Sequence, residues 1–266
     1  MPILLVIPAR FASSRYPGKP LVKLRGANGT SKSLIQRSWE AAMAAKGVDR
    51  VVVATDDERI RAHVKAFGAE VVMTSAQARN GTERCAEAHA TLGGDYDVVV
   101  NLQGDAPLTP PWFVSDVVAG LANDPLADAA TPMLNCTGAM RDALLAVRAE
   151  GRVGGTTAVF GADGRALYFS KEVIPFSRQS FKHAEQTPVF HHVGLYAYRA
   201  EALAAYSKWA PGRLELLEGL EQLRFLENAR KLLCVVVDAK GRSFWELNIS
   251  ADKPKLEAMM KEMGIS

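Results

Sequence analysis

The first half of the chain alternates short apolar runs with longer stretches in which apolar residues recur at helical spacing. The apolar runs are Ile3–Pro8, Arg50–Ala54, Glu70–Thr74, Asp97–Leu102 and Ala129–Pro132. Continuous apolar runs of this length are typical of strands buried on both faces of a parallel sheet. The helical stretches between them are Leu34–Met43, Ile60–Phe67, Gly81–Leu92 and Pro110–Leu121. This alternation predicts an α/β fold with a doubly wound sheet.

After about residue 150 the rhythm changes, because three strand-like runs follow one another closely. They are Thr156–Phe160, Gly164–Phe169 and His192–Tyr198. Strands this close in sequence indicate a smaller antiparallel extension, so the whole sheet is predicted to be mixed. Helices are predicted at about 200–208 and 214–230, then a strand at Leu233–Val237 and a last helix from about Ala251. No linker or repeat interrupts the chain, so we expect one domain over 1–266 with an inserted subregion at about 150–215.

Composition narrows the class of protein. The 266 residues include 32 basic and 29 acidic side chains, a net charge of +3 that gives no electrostatic reason to expect nucleic acid as a partner. No apolar run reaches the roughly 18 residues that cross a bilayer, and no signal-peptide pattern precedes the first strand. Cys85, Cys136 and Cys234 are too scattered for a zinc site or a disulfide framework. We therefore expect a cytoplasmic protein with reduced thiols and no membrane partner.

The loop after the first strand carries the strongest candidate chemistry. It runs from Pro8 to Pro20 and holds three cations, two serines and a glycine: Arg10, Arg15, Lys19, Ser13, Ser14 and Gly18. In an open α/β sheet, ligands bind beyond the carboxyl ends of the strands, and Arg and Lys there can grip phosphates. A triphosphate is a natural ligand, although a solvated basic loop has the same composition. The glycine spacing matches neither a P-loop nor a dinucleotide fingerprint, which argues against a kinase-type ATPase and a dehydrogenase.

A carboxylate stands at the same predicted edge of the sheet. Asp105 follows the apolar run Asp97–Leu102 directly, after Gln103 and Gly104. Mg²⁺ in proteins takes one or two carboxylates together with phosphate oxygens and water. Asp105 is therefore a candidate ligand for a magnesium ion that bridges a triphosphate.

Several motifs in order resemble the CMP-Kdo synthetases, the 3-deoxy-manno-octulosonate cytidylyltransferases. The similar segments are 7–10 with 14–21, 54–56, 81–84, 103–107, 166–175, 192–196 and 214–224. The resemblance spans nearly the whole chain. It implies a nucleotide-diphospho-sugar-transferase-like (GT-A-like) fold and a homodimer. It also implies a reaction in which CTP and an acidic sugar, Kdo or a close relative, give the CMP-sugar and pyrophosphate, as in lipopolysaccharide biosynthesis.

The resemblance implies a set of site residues. For the nucleotide they are Pro8, Ala9, Arg10, Ser14, Arg15, Lys19, Thr55, Asp56, Gly81, Thr82, Arg84 and Gln103. Arg15, Lys19 and Asp105 are expected to be catalytic. The acidic sugar is assigned to Gln103, Tyr168, His192, Tyr196, Glu215, Glu218 and Gln222, the last three at helical spacing, and to the subregion at about 150–215.

Some positions depart from the family pattern. A second metal-binding aspartate is replaced by Asn248, so either Asn248 ligates Mg²⁺ while Glu246 supplies the charge, or one metal site is degraded. On the acceptor side the unusual residues are Ala106, Gly154, Gly155, Thr156, Thr157 and Phe176.

These departures leave alternatives open. The acceptor can be a relative of Kdo, such as an amino-modified octulosonate, a nonulosonate or a phosphonate. A nucleotidyltransferase that uses another nucleotide with a sugar phosphate is one competitor. A non-catalytic nucleotide-binding derivative of the enzyme is another.

Overall fold

The computed structural model describes residues 1–13, 16–242 and 245–266. The strands are β1 (Ile3–Ala9), β2 (Lys23–Arg25), β3 (Ser31–Ser33), β4 (Arg50–Thr55), β5 (Val71–Met73), β6 (Val98–Leu102), β7 (Ala129–Thr137), β8 (Thr157–Phe160), β9 (Ala166–Ser170), β10 (Gln186–His192), β11 (Leu195–Arg199) and β12 (Leu232–Val236). The helices are α1 (Leu34–Met43), α2 (Glu58–Ala66), α3 (Gly81–Leu92), α4 (Pro111–Asn123), α5 (Gly138–Ala149), α6 (Ala200–Tyr206), α7 (Arg213–Glu218), α8 (Leu223–Glu227) and α9 (Asp252–Glu262).

The chain divides into two compact units. The first unit comprises Met1–Ser115, Arg199–Ser207 and Ala239–Ser266, and the second comprises Asp116–Tyr198 and Lys208–Asp238. The second unit therefore begins well before the subregion predicted at about 150–215. The expectation of one domain over 1–266 stays a prediction.

The first unit is built on a parallel sheet with the strand order β5-β4-β1-β6. Residues 4–7 of β1 are completely buried, as expected of a central strand covered on both faces. Val6 lies opposite Val52 on one side and Asn101 on the other. Four of the predicted runs are thus confirmed as parallel strands, and their carboxyl ends share one edge.

Three further features belong to the first unit. Lys19–Leu21 forms a short 3₁₀ helix, preceded by Gly18 with a φ of 70°, which a residue with a Cβ rarely adopts. The hairpin of β2 and β3 was not predicted, because its strands are three residues long and mostly polar. A buried cluster then fixes α9 and the segment before it in the first unit; it consists of Leu24, Leu34, Leu108, Leu247, Leu256 and Met260.

The strands of the second unit pair in both directions. Within it, β7 pairs antiparallel with β10 and β11 and parallel with β12, and β10 continues through β8 to β9. The predicted antiparallel extension is therefore confirmed. The fifth apolar run, Ala129–Pro132, was expected in the parallel sheet, but it is the start of the longer strand β7 in this unit. Helix α5, capped by the Thr137 side chain, was not predicted.

Two predicted elements are wrong in their extent. The single strand expected at His192–Tyr198 is two strands, because β10 ends at His192 and β11 begins at Leu195. The helix expected at 214–230 is two short helices, because Gly219 adopts a φ of 63° and ends α7 with a left-handed cap. Among the residues the structure describes, no helix is long and apolar enough to span a membrane.

Candidate active site

The loop after β1 is held closed by its own backbone. The carbonyl oxygen of Phe11 accepts hydrogen bonds from the backbone N–H groups of Ser13 and Gly18, both at 3.0 Å. Pro8 and Ala9 end β1 opposite Ala54 and Thr55 of β4. Arg10 is exposed to solvent. Ser14 and Arg15, predicted to bind the nucleotide, lie outside the described residues.

Lys19 and Asp105 meet at the carboxyl edge of the parallel sheet. Lys19 Nζ lies 2.5 Å from Asp105 Oδ2, and the two side chains are 13% and 25% exposed. The pair is thus half-buried, where opposite charges interact more strongly than in water. The structure brings together two of the three residues expected to be catalytic.

The segment before α9 reaches the same carboxylate residue. The Leu247 N–H donates to the backbone oxygen of Asp105 at 2.9 Å, and the Leu247 side chain is completely buried. Glu246 and Asn248 flank it, and Asn248 Nδ2 donates to Glu246 Oε2 at 3.4 Å. Asp252 Oδ2 fixes the segment by accepting hydrogen bonds from the Asn248 and Ile249 N–H groups, both at 2.8 Å. The structure therefore places the segment that carries Glu246 and Asn248 beside the Asp105 backbone.

The donor set fits Mg²⁺, which takes one or two carboxylates and completes its shell with phosphate oxygens and water. Asp105 and Glu246 would supply carboxylates, and Asn248 would supply an amide oxygen. Within residues 1–13, 16–242 and 245–266 no group of three or more His, Cys, Asp and Glu side chains forms a protein-only metal site. A metal here would thus depend on the ligand's phosphates. The Lys19 ammonium lies against the Asp105 carboxylate, which shows that this carboxylate can stabilise a positive charge.

Arg84 anchors the start of α3 rather than pointing to solvent. It is buried, donates to Thr74 Oγ1 at 2.6 Å and pairs with Asp56 Oδ2 at 3.2 Å. The Asn80 side chain caps α3 by accepting from the Glu83 N–H at 2.8 Å. These contacts fix the first turn of α3 against the ends of β4 and β5. The predicted nucleotide residues Asp56 and Arg84 thus form one ion pair.

Gly81 allows α3 to approach the ends of β1 and β6 closely. A Cβ at Gly81 would lie 3.1 Å from Gln103 Nε2, 3.3 Å from Asn101 Nδ2 and 3.4 Å from Pro8 Cγ. Three predicted nucleotide residues are therefore neighbours at this point. Asn101 was missed, although an amide within the otherwise apolar strand β6 is a signal visible in the sequence.

In the second unit, two predicted acceptor residues are joined by one hydrogen bond. Tyr196 OH donates to Gln222 Oε1 at 3.2 Å. Glu218 is held by β9, because it accepts from Ser170 Oγ at 2.7 Å, from the Lys171 N–H at 3.0 Å and from Tyr168 OH at 3.4 Å. The structure brings Tyr168 and Glu218 together, and separately Tyr196 and Gln222.

The helix that was predicted to carry Glu215, Glu218 and Gln222 does not exist as one element. Glu215 and Glu218 lie on α7, but Gln222 comes after the break at Gly219. Glu215 forms a buried bidentate pair with Arg224, with both N–O distances at 2.6 Å. This pair ties α7 to α8, so the Glu215 carboxylate has a structural partner.

His192 is buried at the end of β10. Its ring lies 5.2 Å from the Phe169 ring and 5.5 Å from the Tyr196 ring, and its Nε2 lies 3.0 Å from Thr131 Oγ1. Burial lowers the pKa of His192 to about 3, helped by the neighbouring His191, whose own pKa burial lowers to about 4. His192 is therefore a neutral hydrogen-bonding group at physiological pH.

The residues that depart from the family pattern have defined surroundings. Thr157 Oγ1 donates to the Glu172 carbonyl at 2.7 Å and accepts from the Ile174 N–H at 3.0 Å. Phe176 is 83% exposed. Gly155 packs against His191, because a Cβ there would lie 2.6 Å from its Cε1. Thr157 is thus engaged with the β9–β10 connection, whereas Phe176 is exposed to solvent.

Comparison with known proteins decides the class of enzyme. The family described as cytidylyltransferase matches residues 4–232. The chain belongs to the cytidylyltransferase family. The sequence resemblance is thereby confirmed, and so is the prediction of a CTP-dependent nucleotidyltransferase.

Individual relatives agree with the family. A 3-deoxy-manno-octulosonate cytidylyltransferase of Maricaulis maris is 44% identical over 264 residues, which cover 99% of each chain. A protein of the same name from Chlamydia trachomatis serovar L2 is 43% identical over 90% of this chain and 87% of its own. A solved structure of CMP:2-keto-3-deoxy-manno-octonic acid synthetase complexed with CTP has a TM-score of 0.83 and 31% identity, and the match covers 99% of this cytidylyltransferase and 100% of that chain. The predicted nucleotidyltransferase-like fold is confirmed by that likeness.

Proposed function

We propose that this cytidylyltransferase activates an acidic sugar, Kdo or a close relative, by transferring CMP to it from CTP. The observation that carries the proposal is the Lys19–Asp105 pair at the carboxyl edge of the parallel sheet. It supplies a cation for phosphates and a carboxylate for a metal in a chain of this family. Relatives that cover nearly the whole chain are named for this reaction.

The proposed chemistry is an in-line displacement at the α-phosphorus of CTP. The anomeric hydroxyl oxygen of the sugar acid forms the new bond to phosphorus, and the bond to the bridging oxygen of the β-phosphate breaks. Pyrophosphate leaves with the electron pair, and the hydroxyl proton passes to solvent. No covalent intermediate with the protein is needed, so catalysis depends on positioning and charge neutralisation.

Residues of the first unit provide that neutralisation. Lys19 is proposed to move from Asp105 to the phosphates, with Arg10 and Arg15 as the other cations of the loop. Asp105, Asn248 and Glu246 would hold Mg²⁺, which neutralises phosphate charge when it is bound. Glu246 supplies the second carboxylate that Asn248 lacks. Gln103, Thr55, Gly81, Thr82 and the Asp56–Arg84 pair are proposed to shape the nucleotide pocket.

The second unit is proposed to bind the acceptor. His192, Tyr196 and Gln222 present neutral hydrogen-bonding groups among aromatic rings, as sugar hydroxyls require. Tyr168 and Glu218 are proposed to join them, and Glu215 to position α7. A homodimer working in the cytoplasm in lipopolysaccharide biosynthesis, with no nucleic acid or membrane partner, follows from the same proposal.

Pyrophosphate release tests the function. The enzyme is incubated with CTP and Mg²⁺ and with Kdo, its 8-amino analogue, sialic acid or a simple phosphonate. We expect release with Kdo or its amino analogue, and loss of release in Asp105→Asn. Release only with sialic acid or with a phosphonate would overturn the proposal that the acceptor is Kdo or a close relative. CTP binding without release from any acceptor would overturn catalysis and favour a nucleotide-binding derivative.

A further inference from the structure

Asn101 is the polar residue of an otherwise apolar and buried strand, β6. It is completely buried in β6, where its neighbours Val98, Val99, Val100 and Leu102 are also buried. Within residues 1–13, 16–242 and 245–266, neither its Oδ1 nor its Nδ2 has a hydrogen-bond partner. A buried amide in this condition destabilises a fold, since its desolvation is not compensated. Such a residue requires a reason other than packing.

The position of Asn101 supplies that reason. It precedes Gln103 by two residues, so the two side chains leave the extended chain on the same face. Asn101 Nδ2 and Gln103 Nε2 both lie within 3.3 Å of the point that a Gly81 Cβ would occupy. Two amides therefore converge on the first turn of α3, whose N-terminus carries partial positive charge.

Convergent N–H donors suit one nucleobase better than another. Cytosine presents two adjacent acceptors, O2 and N3, whereas uracil presents an N–H at position 3. A side-chain amide can supply a donor to this edge only if its orientation is fixed. Gln103 lies at the end of β6, and Asn101 is the polar side chain behind it on the same face.

We propose that Asn101 is a positioning residue: its amide, unpaired among the described residues, pairs with the Gln103 amide when CTP binds and thereby fixes Gln103 for recognition of the cytosine edge. The inference rests on the proposed function, because it takes CTP as the nucleotide. Asn101 stays buried and acts through Gln103. On this proposal the destabilising buried amide is kept in the sequence because nucleotide recognition depends on it.

The test uses the full chain and measures nucleotide affinity and stability together. Asn101→Leu removes the amide at similar volume, and we expect an unchanged or higher melting temperature with CTP binding weakened about tenfold. The preference for CTP over UTP should fall as well. Val99→Ala is the matched control: it creates a small cavity on the same face of β6, so it should lower the melting temperature and leave CTP affinity unchanged. CTP affinity of Asn101→Leu within twofold of the parent overturns the proposal, whatever its stability.

A double-variant cycle tests that Asn101 acts through Gln103. If it does, Gln103→Ala with Asn101→Leu binds CTP no more weakly than Gln103→Ala alone. Fully additive losses overturn the proposal. If Asn101→Leu does not fold, Asn101→Ala takes its place with the same thresholds. Failure of the parent protein to bind CTP would instead overturn the proposed function, so the two failures are distinguishable.

Discussion

Lys19 Nζ lies 2.5 Å from Asp105 Oδ2, so the last cation of the β1 loop is bound to the carboxylate at the end of β6. The 3₁₀ helix after Gly18 delivers the lysine, and the buried strand β6 delivers the aspartate. In the proposed reaction both side chains need new partners, phosphates for Lys19 and Mg²⁺ for Asp105. Binding of the nucleotide and metal therefore exchanges one ion pair for two.

Removal of Lys19 tests this exchange. In Lys19→Met we expect kcat/KM for CTP to fall on the order of 100-fold, the typical loss for one charge-stabilising group. Mg²⁺ binding to the nucleotide-free enzyme should become tighter, because Asp105 loses its competing partner. Steady-state kinetics and Mn²⁺ binding by EPR measure the two effects. Lys65→Met, on an exposed position of α2, is the control and should change neither. Weaker metal binding in Lys19→Met would contradict the exchange.

Asn248→Asp tests the second metal ligand. A carboxylate beside Asp105 and Glu246 adds negative charge to the proposed site, so the Mg²⁺ concentration for half-maximal activity should fall several-fold. Asn123→Asp makes the same charge change at an exposed position at the end of α4 and should have no effect. An identical Mg²⁺ dependence in Asn248→Asp and the parent enzyme would show that residue 248 does not face the metal.

The buried histidines predict a pH dependence of stability. Burial holds the pKa values of His191 and His192 at about 4 and 3, below the unfolded value of 6.5. The unfolded chain therefore binds more protons below pH 6.5, and the stabilisation by the neutral rings is lost as the pH falls from 6.5 towards these values. We expect the free energy of unfolding in urea to fall by at least about 1 kcal/mol between pH 6.5 and 5.

His191→Gln is the control for that slope, because it removes one titrating ring near Gly155. Its free energy of unfolding should depend less on pH over the same range. Equal slopes in the two proteins would contradict the assignment of the effect to the buried histidines.

The Arg224–Glu215 pair predicts a large loss of stability. Arg224 is completely buried, so Arg224→Leu leaves the Glu215 carboxylate buried without its charge partner, at a cost of about 3–5 kcal/mol. Arg230→Leu breaks an exposed pair with Asp128 and should cost at most about 1 kcal/mol. Urea unfolding compares the two. Similar losses in both variants would show that the buried pair does not connect α7 and α8 as described.

The sequence predicts strands best where burial is continuous. The runs that became β1, β4 and β6 are predicted because both faces of those strands are buried over most of their length, whereas in β5 only Val72 is buried. Placing Asp105 directly after β6 then predicted its position at the sheet edge. Strands β2 and β3 were not predicted, because each has only three residues, most of them polar, and shows no recognisable alternation of apolar and polar positions.

Long-range contacts account for the rest. The Leu247 N–H donates to the Asp105 carbonyl, a contact set by burial of Leu247 in a cluster drawn from distant segments. No local pattern predicts such a pairing, so the arrangement of Asn248 and Glu246 at Asp105 required the structure. By contrast, Gly219 is a local signal for the end of α7. The sequence analysis nevertheless predicted one continuous helix, because Glu215, Glu218 and Gln222 recur at helical spacing.

The most direct test of the central claim is ³¹P NMR of the enzyme with CTP, Mg²⁺ and Kdo. The account predicts that the CTP signals are replaced by those of pyrophosphate and a CMP phosphodiester in equal amounts, and that Asp105→Asn abolishes the change while still folding. Persistence of the CTP signals with the parent enzyme, or release of phosphate without a phosphodiester, would contradict it.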